Sequence, residues 1–512
     1  MSVSPISEPI QAAATESAGM SFIDALLADA GSSTSLPVSA LAERFSPDFS
    51  RVLQEWVARS PRTGSTQHLL SVLNCAVASI DRVINDQVNS ILHHRSFQRL
   101  EASWRGLDYL VRSEGQEGSA AVKIKVLTVS WAELARDFDR AIEFDQSQLF
   151  HKIYENEFGS PGGEPFGAII ADYEVHPQPV EGATYNDLDV LESIAGVAAA
   201  AFCPFFANAS PGMFDLGDDF VGLQRTFDHA HILKQSPKWR SLIEREDARF
   251  VGLVMPRVLM RLPYTADSQR VDGFCFLEDV AGPTHANYLW GGAAFALGAV
   301  IMRAFENSAW PADIRGVQRG VEGGGLVTGL SVDEPGTDSP GVAHKFSTDV
   351  VITDHLEKEL GDLGFIPLCH CYDTPHAAFY SVPSVQKPRV LDRAPAQANA
   401  RLSSMMQYIL CVSRFAHYIK VMGRDRVGSV TSSEQLERIL DDWLKKYVTP
   451  DDNASPETKA RYPLREARVQ VRPKPGASGA YHCVFHLVPH YQLDEIAVRV
   501  RLTTEISPLP AM

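Results

Sequence analysis

Hydrophobic period, more than any motif, limits what this chain can fold into. Leu69, Leu70, Val72, Leu73, Val77, Ile80, Val83 and Ile84 recur at helical spacing within a largely helical stretch, 65–114. Beyond Gly118 the period drops to two. Val122, Ile124, Val126 and Thr128 alternate with Lys123, Lys125 and Leu127, which predicts a strand. Further strands are expected at 167–172, 249–254 and 350–353, and helices at 188–202, 285–305, 355–360 and 396–422. Strands alternating with helices define an α/β body, a mixed α+β chain of several domains.

The two ends differ from this body. Residues 1–19 are rich in Ser, Ala and Pro with no apolar period, the composition of a disordered arm. Ser21 to Ala30 then reads as a short amphipathic helix. Ser21 and Asp24 resemble a capping box, Gly31 stands at the stop, and Phe22, Ile23, Leu26 and Leu27 share one face. A helix this short is marginal alone in water. Its apolar face suits either a grooved partner or its own domain. At the other end Arg468–Arg472, Tyr481–Val488 and Ile496–Leu502 alternate. In the last run Ile496, Val498, Val500 and Leu502 face one way, with Arg499 and Arg501 opposite. Residues 461–512 carry seven Lys/Arg against four Asp/Glu on a chain whose net charge is −16. A basic terminal β element can pair edge to edge with another subunit or close an internal sheet.

A length of 512 residues allows two to four domains. The negative net charge makes the chain a poor counterion for phosphate backbones, which argues against nucleic-acid binding. Seven scattered cysteines form no disulfide framework and fit a reducing compartment. The first basic residue is Arg44, so no secretory n-region is expected. The apolar stretch from Tyr288 to Met302 holds three glycines and is short for a membrane span. A cytoplasmic chain without direct membrane insertion is the expectation.

Motifs for chemistry are sparse. The sequence has no phosphate loop, no H-E-x-x-H and no G-x-S-x-G. Gly323-Gly324-Gly325 lacks the third glycine of a dinucleotide pattern, since Thr328 stands there, and reads as a turn. Cys369-His370-Cys371 with His376 offers zinc-ligand types but not paired ligand spacing, so core thiols are the better reading. His94 and Glu101, seven apart, would share a face only on an unbroken helix. Glu244, Glu246 and Asp247 lie among Arg245 and Arg249, which points to ion pairing within or between chains. No catalytic residue, cofactor or metal is expected. The competing reading is an α/β enzyme built around Cys369, His370 and His376.

One segment weighs more than the rest. The run from Phe97 to Val111, with Phe97-Gln98, Leu100-Glu101-Ala102 and Trp104-Arg105-Gly106-Leu107, resembles the hallmark of the type VI secretion sheath large subunit, the TssC or VipB family. The resemblance continues in order over about 400 residues. It takes in Phe158–Gly167, Asp172-Tyr173-Glu174, Glu246–Leu253, Pro256-Arg257, Arg261–Tyr264 and Tyr288-Leu289-Trp290. Ile314–Val317, Leu363–Leu368, Gln386-Lys387-Pro388, Arg414–Tyr418 and Pro489–Leu493 follow. Departures occur at Phe202-Cys203, at His355-Leu356 and at Val488, where cationic or His positions of the family are neutral or apolar. Such changes fit a divergent or second copy of the subunit.

The resemblance implies a structural protein with no enzymatic activity. It implies pairing with a small sheath subunit (TssB or VipA), stacking with copies of itself on a baseplate, and a helical sheath around an Hcp tube that contraction drives outward. It further implies recycling by the ATPase ClpV through the N-terminal helix carrying Phe22, Ile23, Leu26 and Leu27, and strand exchange through Ile496, Val498, Val500 and Leu502. Phe97, Glu101, Trp104, Arg105 and Gly106 are the structural motif residues. The expected division is 1–37, an arm with the ATPase helix; 38–115, helices that pack with the small subunit; 116–390, the α/β body; and 391–512, a C-terminal domain with inter-protomer strands. A phage-like contractile injector, which would lack the N-terminal helix, is the alternative within this class.

Overall fold

A computed structural model describes residues 66–113, 122–160, 162–180, 182–224, 229, 233, 236–265, 274–281, 285–317, 322–333, 346–371, 374–426, 432–451, 453–473, 481–490 and 500–506. Two compact units divide the chain, Met1–Leu92 with Tyr264–Asp279, and His93–Pro263 with Val280–Met512. In the first, helix α1 (Thr66–Leu92) presents Asn85 and Asn89 one turn apart. Asn85 Oδ1 accepts from Leu277 N at 3.0 Å. Asn89 Oδ1 accepts from Asp279 N at 3.0 Å, and its Nδ2 donates to the Leu277 carbonyl at 3.3 Å. Two amide side chains at i and i+4 thus stand in for a neighbouring strand. Val77, Ile80, Val83 and Ile91 on α1 remain exposed.

The second unit is built on a six-stranded sheet of order β1-β2-β3-β7-β8-β6. Its strands are β1 (Ile169–Val175), β2 (Phe205–Ala209), β3 (Val251–Met255), β6 (Leu326–Val327), β7 (Phe365–His370) and β8 (Ala377–Phe379), while β4 (Val258–Leu259) and β5 (Trp290–Gly291) form a separate pair. β1, β2, β3 and β7 run parallel; β8 and β6 close the sheet antiparallel. Parallel strands are covered on both faces, so β2 (Phe-Phe-Ala-Asn-Ala) and β3 (Val-Gly-Leu-Val-Met) are buried at every position. Phe205, Ala207, Val251, Leu253 and Phe365 fill one core, and Phe206, Val254, Ile366 and Leu368 fill the other.

Helices α2 (Arg95–Arg112), α3 (Trp131–Arg140), α4 (Asp187–Ala201), α5 (Pro237–Glu244), α6 (Ala294–Ser308) and α7 (Asp354–Asp362) surround this sheet. C-terminal to it, α8 (Ala394–Leu402), α9 (Met406–Arg426) and α10 (Ser433–Lys445) lead into a sheet of order β11-β10-β9. Here β9 is Leu464–Pro473, β10 Tyr481–Pro489 and β11 Val500–Ile506. Phe415, Ile419, Leu440, Leu444, Val469 and Phe485 share a third core, in which Trp310 stacks on Phe415 at 4.2 Å.

Four expectations need correction. Val122–Thr128 joins no ladder among the described residues. Val122 and Ile124 pack beside Leu110 and Phe295, so alternation reports a buried row without a backbone partner. Val350–Thr353 is likewise no strand: Val350 and Ile352 enter the core, and Thr353 is already the N-cap of α7. The helix expected over 285–305 starts at Ala294 and ends at Ser308, after a short turn at His285–Asn287 and strand β5. Its start is set from outside, since Asn208 Oδ1 on β2 accepts from Ala294 N at 2.9 Å. A Cβ on Gly292 would fall 2.2 Å from the Asn208 side chain, so that approach requires glycine. The helix expected over 396–422 is two, broken between Leu402 and Met406. At the C-terminus Val500–Ile506 is strand, while residues 496–499 of the run expected over Ile496–Leu502 lie outside the described residues.

Candidate functional site

Helix α2 carries the motif and divides it between two faces. His94 caps its start, with Nδ1 accepting from Ser96 N at 3.3 Å. The break after α1 at this point removes the continuous helix on which His94 and Glu101 would have shared a face. Ala102, Gly106 and Leu110, spaced by four, form the buried face. A Cβ on Gly106 would lie 2.3 Å from the Phe295 ring of α6, so glycine sets the closeness of the two helices. Tyr109 Oη donates to the Thr328 carbonyl at 2.8 Å, and burial raises its phenol to about 12.

Glu101 is the polar anchor. Its Oε1 receives Arg105 Nε at 2.8 Å from the next turn and Arg261 Nε at 2.8 Å from beyond β4. The Arg261 side chain is 7% exposed and that of Glu101 13%. A carboxylate this enclosed needs its guanidinium partners. Ser103 adds a second tie, donating to Asp172 on β1. Burial raises the Asp172 carboxyl above its ordinary value, and the Ser103 bond opposes that. Close by, Arg257 forks onto Glu174 at 2.6 and 2.9 Å and donates to the Asp218 carbonyl at 2.7 Å.

The outward face of α2 is apolar. Phe97, Leu100, Trp104 and Val111 lie three, four and seven residues apart, one stripe of a helix. Trp104 is 66% exposed and Leu100 57%. The stripe, held from behind, thus leaves a row of apolar side chains open to water.

The remaining expected site residues fall elsewhere. Phe22, Ile23, Leu26 and Leu27, and Ile496 and Val498, lie outside the described residues. Val500 and Leu502 are on β11, paired with Leu487 and Phe485 of β10. Cys369 lies in the main core and Cys371 in a separate small cluster, and burial pushes both thiols up. His370 meets Phe346 edge to face at 4.6 Å. Among the described residues no three His, Cys, Asp or Glu side chains converge as a metal site. Gly324 and Gly325 form a turn in which Gly325 N donates to the Gly316 carbonyl at 2.7 Å. Arg245 pairs with Glu192 on α4, and Arg249 Nε donates to the Glu246 carbonyl at 3.0 Å. No helix among the described residues is long and apolar enough to cross a membrane. Arg261, Arg257, Asp172 and Glu174 had no assigned role in the sequence, although each stands in a segment that carries the resemblance.

Comparison with known proteins makes the class of this chain a contractile tail sheath. Residues 74–386 match the family model described as EvpB/VC_A0108, tail sheath N-terminal domain. Residues 395–506 match its companion, the tail sheath gpW/gp25-like domain. The chain is 38% identical over 488 residues to the type VI secretion system sheath protein TssC1 of Pseudomonas aeruginosa, covering 92% of this chain and 95% of that one. It belongs to the VipB (TssC) family, the structural, non-enzymatic large subunit of the type VI secretion contractile sheath.

Two solved structures show a partial likeness. A chain of an anti-feeding prophage baseplate aligns at 10% identity and TM-score 0.30, over 64% of each chain. A sheath tail protein of Desulfitobacterium hafniense aligns at 10% identity and TM-score 0.28, over 63% of this chain and 62% of that one. Overlap at this level adds nothing to the assignment. Family membership displaces the enzyme reading around Cys369, His370 and His376.

Proposed function

We propose that this chain pairs with a small sheath subunit (TssB or VipA) through the outward stripe of α2. The heterodimers then stack from a baseplate into a helical tubule around an Hcp tube. Contraction of the tubule propels the tube and its effectors out of the cell. In this reading region 38–115 meets the small subunit, 116–390 is the sheath body, and 391–512 links neighbouring protomers. The arm 1–37 offers Phe22, Ile23, Leu26 and Leu27 to the ATPase ClpV for recycling in the cytoplasm.

The observation that carries this reading is the outward Leu100–Trp104 stripe, fixed from behind by Glu101, Arg105 and Arg261. An exposed Trp on a pre-organised helix forfeits little entropy on docking and removes a large apolar area from water. The C-terminal sheet supports the second half of the reading. β9 and β11 are its edges among the described residues; β9 is already bonded at Leu464 and Val471, and an edge such as β11 lets a neighbour's backbone add on. Such heterologous contacts build helical filaments when their rotation does not close a ring. Co-expression with the small subunit, followed by electron microscopy, tests the proposal: tubules are expected, and a monodisperse chain that ignores that subunit contradicts it.

A further inference from the structure

The segment Val122–Thr128 has the sequence of a strand, belongs to no helix or strand, and has no strand beside it among the described residues. It is held in place along its length. Val122 and Ile124 pack beside Leu110 and Phe295, behind α2. Lys123 Nζ bonds the Glu164 carboxylate at 2.6 and 2.7 Å, and Lys125 Nζ bonds Glu157 Oε1 at 2.7 Å. Tyr173 Oη donates to the Val129 carbonyl at 2.5 Å and fixes the exit. The main-chain groups of Val122–Thr128, by contrast, make no hydrogen bond to any described residue. Lys125, Val126, Leu127 and Thr128 are all exposed. A row of unpartnered amides and carbonyls, on a segment where Val122 and Ile124 turn inward and Lys123 and Lys125 outward as in a strand, is matched by another strand's backbone.

The ground beside the row defines that ligand further. A groove of about 450 Å³ runs from Leu127 and Thr128 to Arg136 and Arg140 of α3 and to Lys152. The acids in the groove are already engaged. Glu133 closes the capping box with Ser130, and Asp137 accepts from Gln148 N and Leu149 N. The cations are not engaged in this way. Arg136 donates only to the Ala132 carbonyl of its own helix, and neither Arg140 nor Lys152 forms an ion pair with a described residue. The groove therefore favours carboxylates. A copy of this chain's own edge strand β9 would bring Arg468 and Arg472, exposed on that strand, against like charge.

We propose that Val122–Thr128 is an open strand position, filled in the assembled sheath by an acidic, alternating β-strand from the smaller partner subunit. This rests on the reading that the chain assembles with such a subunit and deepens it: that subunit contributes a strand to this edge as well as a surface to the α2 stripe. Ile124 and Val122 touch the cluster of Leu110, so stripe and strand position are two sides of one small region.

Amide hydrogen exchange on the full chain alone and on the chain co-purified with the small subunit tests the idea. Exchange within 123–128 is expected to slow at least about tenfold in the complex. Leu127→Pro, which removes an exposed donor, should abolish that protection while Leu127→Ala keeps it. Arg140→Glu with Lys152→Glu should reduce protection at 123–128 without lowering the melting temperature of the chain alone. A photo-cross-linking amino acid at position 128 should capture the small subunit. Capture of a second copy of this chain, or unchanged exchange in a complex that has formed, overturns the strand proposal and leaves the α2 reading standing. Failure of the two chains to co-purify overturns both.

Discussion

Arg261 reaches across 160 residues of sequence to place its Nε 2.8 Å from Glu101 Oε1, the same oxygen that Arg105 holds from one turn away. The outward stripe of α2 is positioned through this carboxylate. Removing Arg261 leaves the enclosed Glu101 carboxylate with the half-exposed Arg105 alone, at a cost below the roughly 3 kcal/mol of a fully stranded charge. Arg261→Met should therefore lower the urea midpoint with an unchanged slope. The double variant Glu101→Gln/Arg261→Met should recover part of the loss, because it leaves no carboxylate uncompensated.

Gly106 against Phe295 gives a steric prediction with two opposing terms. Alanine raises helix propensity by about 1 kcal/mol. Its Cβ, however, would fall 2.3 Å from the Phe295 ring, and overpacking of this kind costs about 1–3 kcal/mol. Gly106→Ala should thus be net destabilising in thermal melts, and Phe295→Leu should restore part of the stability in the Gly106→Ala background.

His417 on α9 is buried and hydrogen-bonds the Ala201 carbonyl through Nε2 at 3.1 Å. Burial pushes its pKa down to about 4, against an ordinary 6.5. The folded state holds the neutral ring, while the unfolded chain binds a proton below 6.5. The contribution is therefore fully present above pH 6.5 and is lost as pH falls toward 4, by roughly 3 kcal/mol over the full window. His417→Gln, which keeps a donor but does not titrate, should flatten the stability profile between pH 6.5 and 4 in urea titrations.

In the proposed reading residues 1–37 serve recycling and not assembly, so variants there should separate the two. Leu26→Asp with Leu27→Asp should leave tubule formation intact and abolish ClpV binding in a pull-down. Undiminished ATPase capture would remove these residues from that role.

What the sequence made legible follows from how each element is stabilised. α2 and β10 show their period because one face is buried and the other is not. β2, buried at all five positions, has no period to read and was missed. Val122–Thr128 and Val350–Thr353 have the residue types of strands, yet neither joins a ladder among the described residues, because a strand also needs a backbone partner that local sequence does not supply. The start of α6 depends on Asn208, a side chain on another strand, and local sequence cannot report such a cap. The same distance hid the anchor. Glu101 and Arg105 were visible as motif residues one turn apart, whereas Arg261 acquired its role only through the fold.

The central claim is that α2 buries one face for folding and reserves the other for assembly. Its most direct measurement is the chain with Leu100→Asp and Trp104→Asp, co-expressed with the small sheath subunit, imaged for tubules and melted alone. The account predicts no tubules and a melting temperature within about 2 °C of the unmodified chain, as expected for exposed substitutions. Tubules of normal length and number would contradict it.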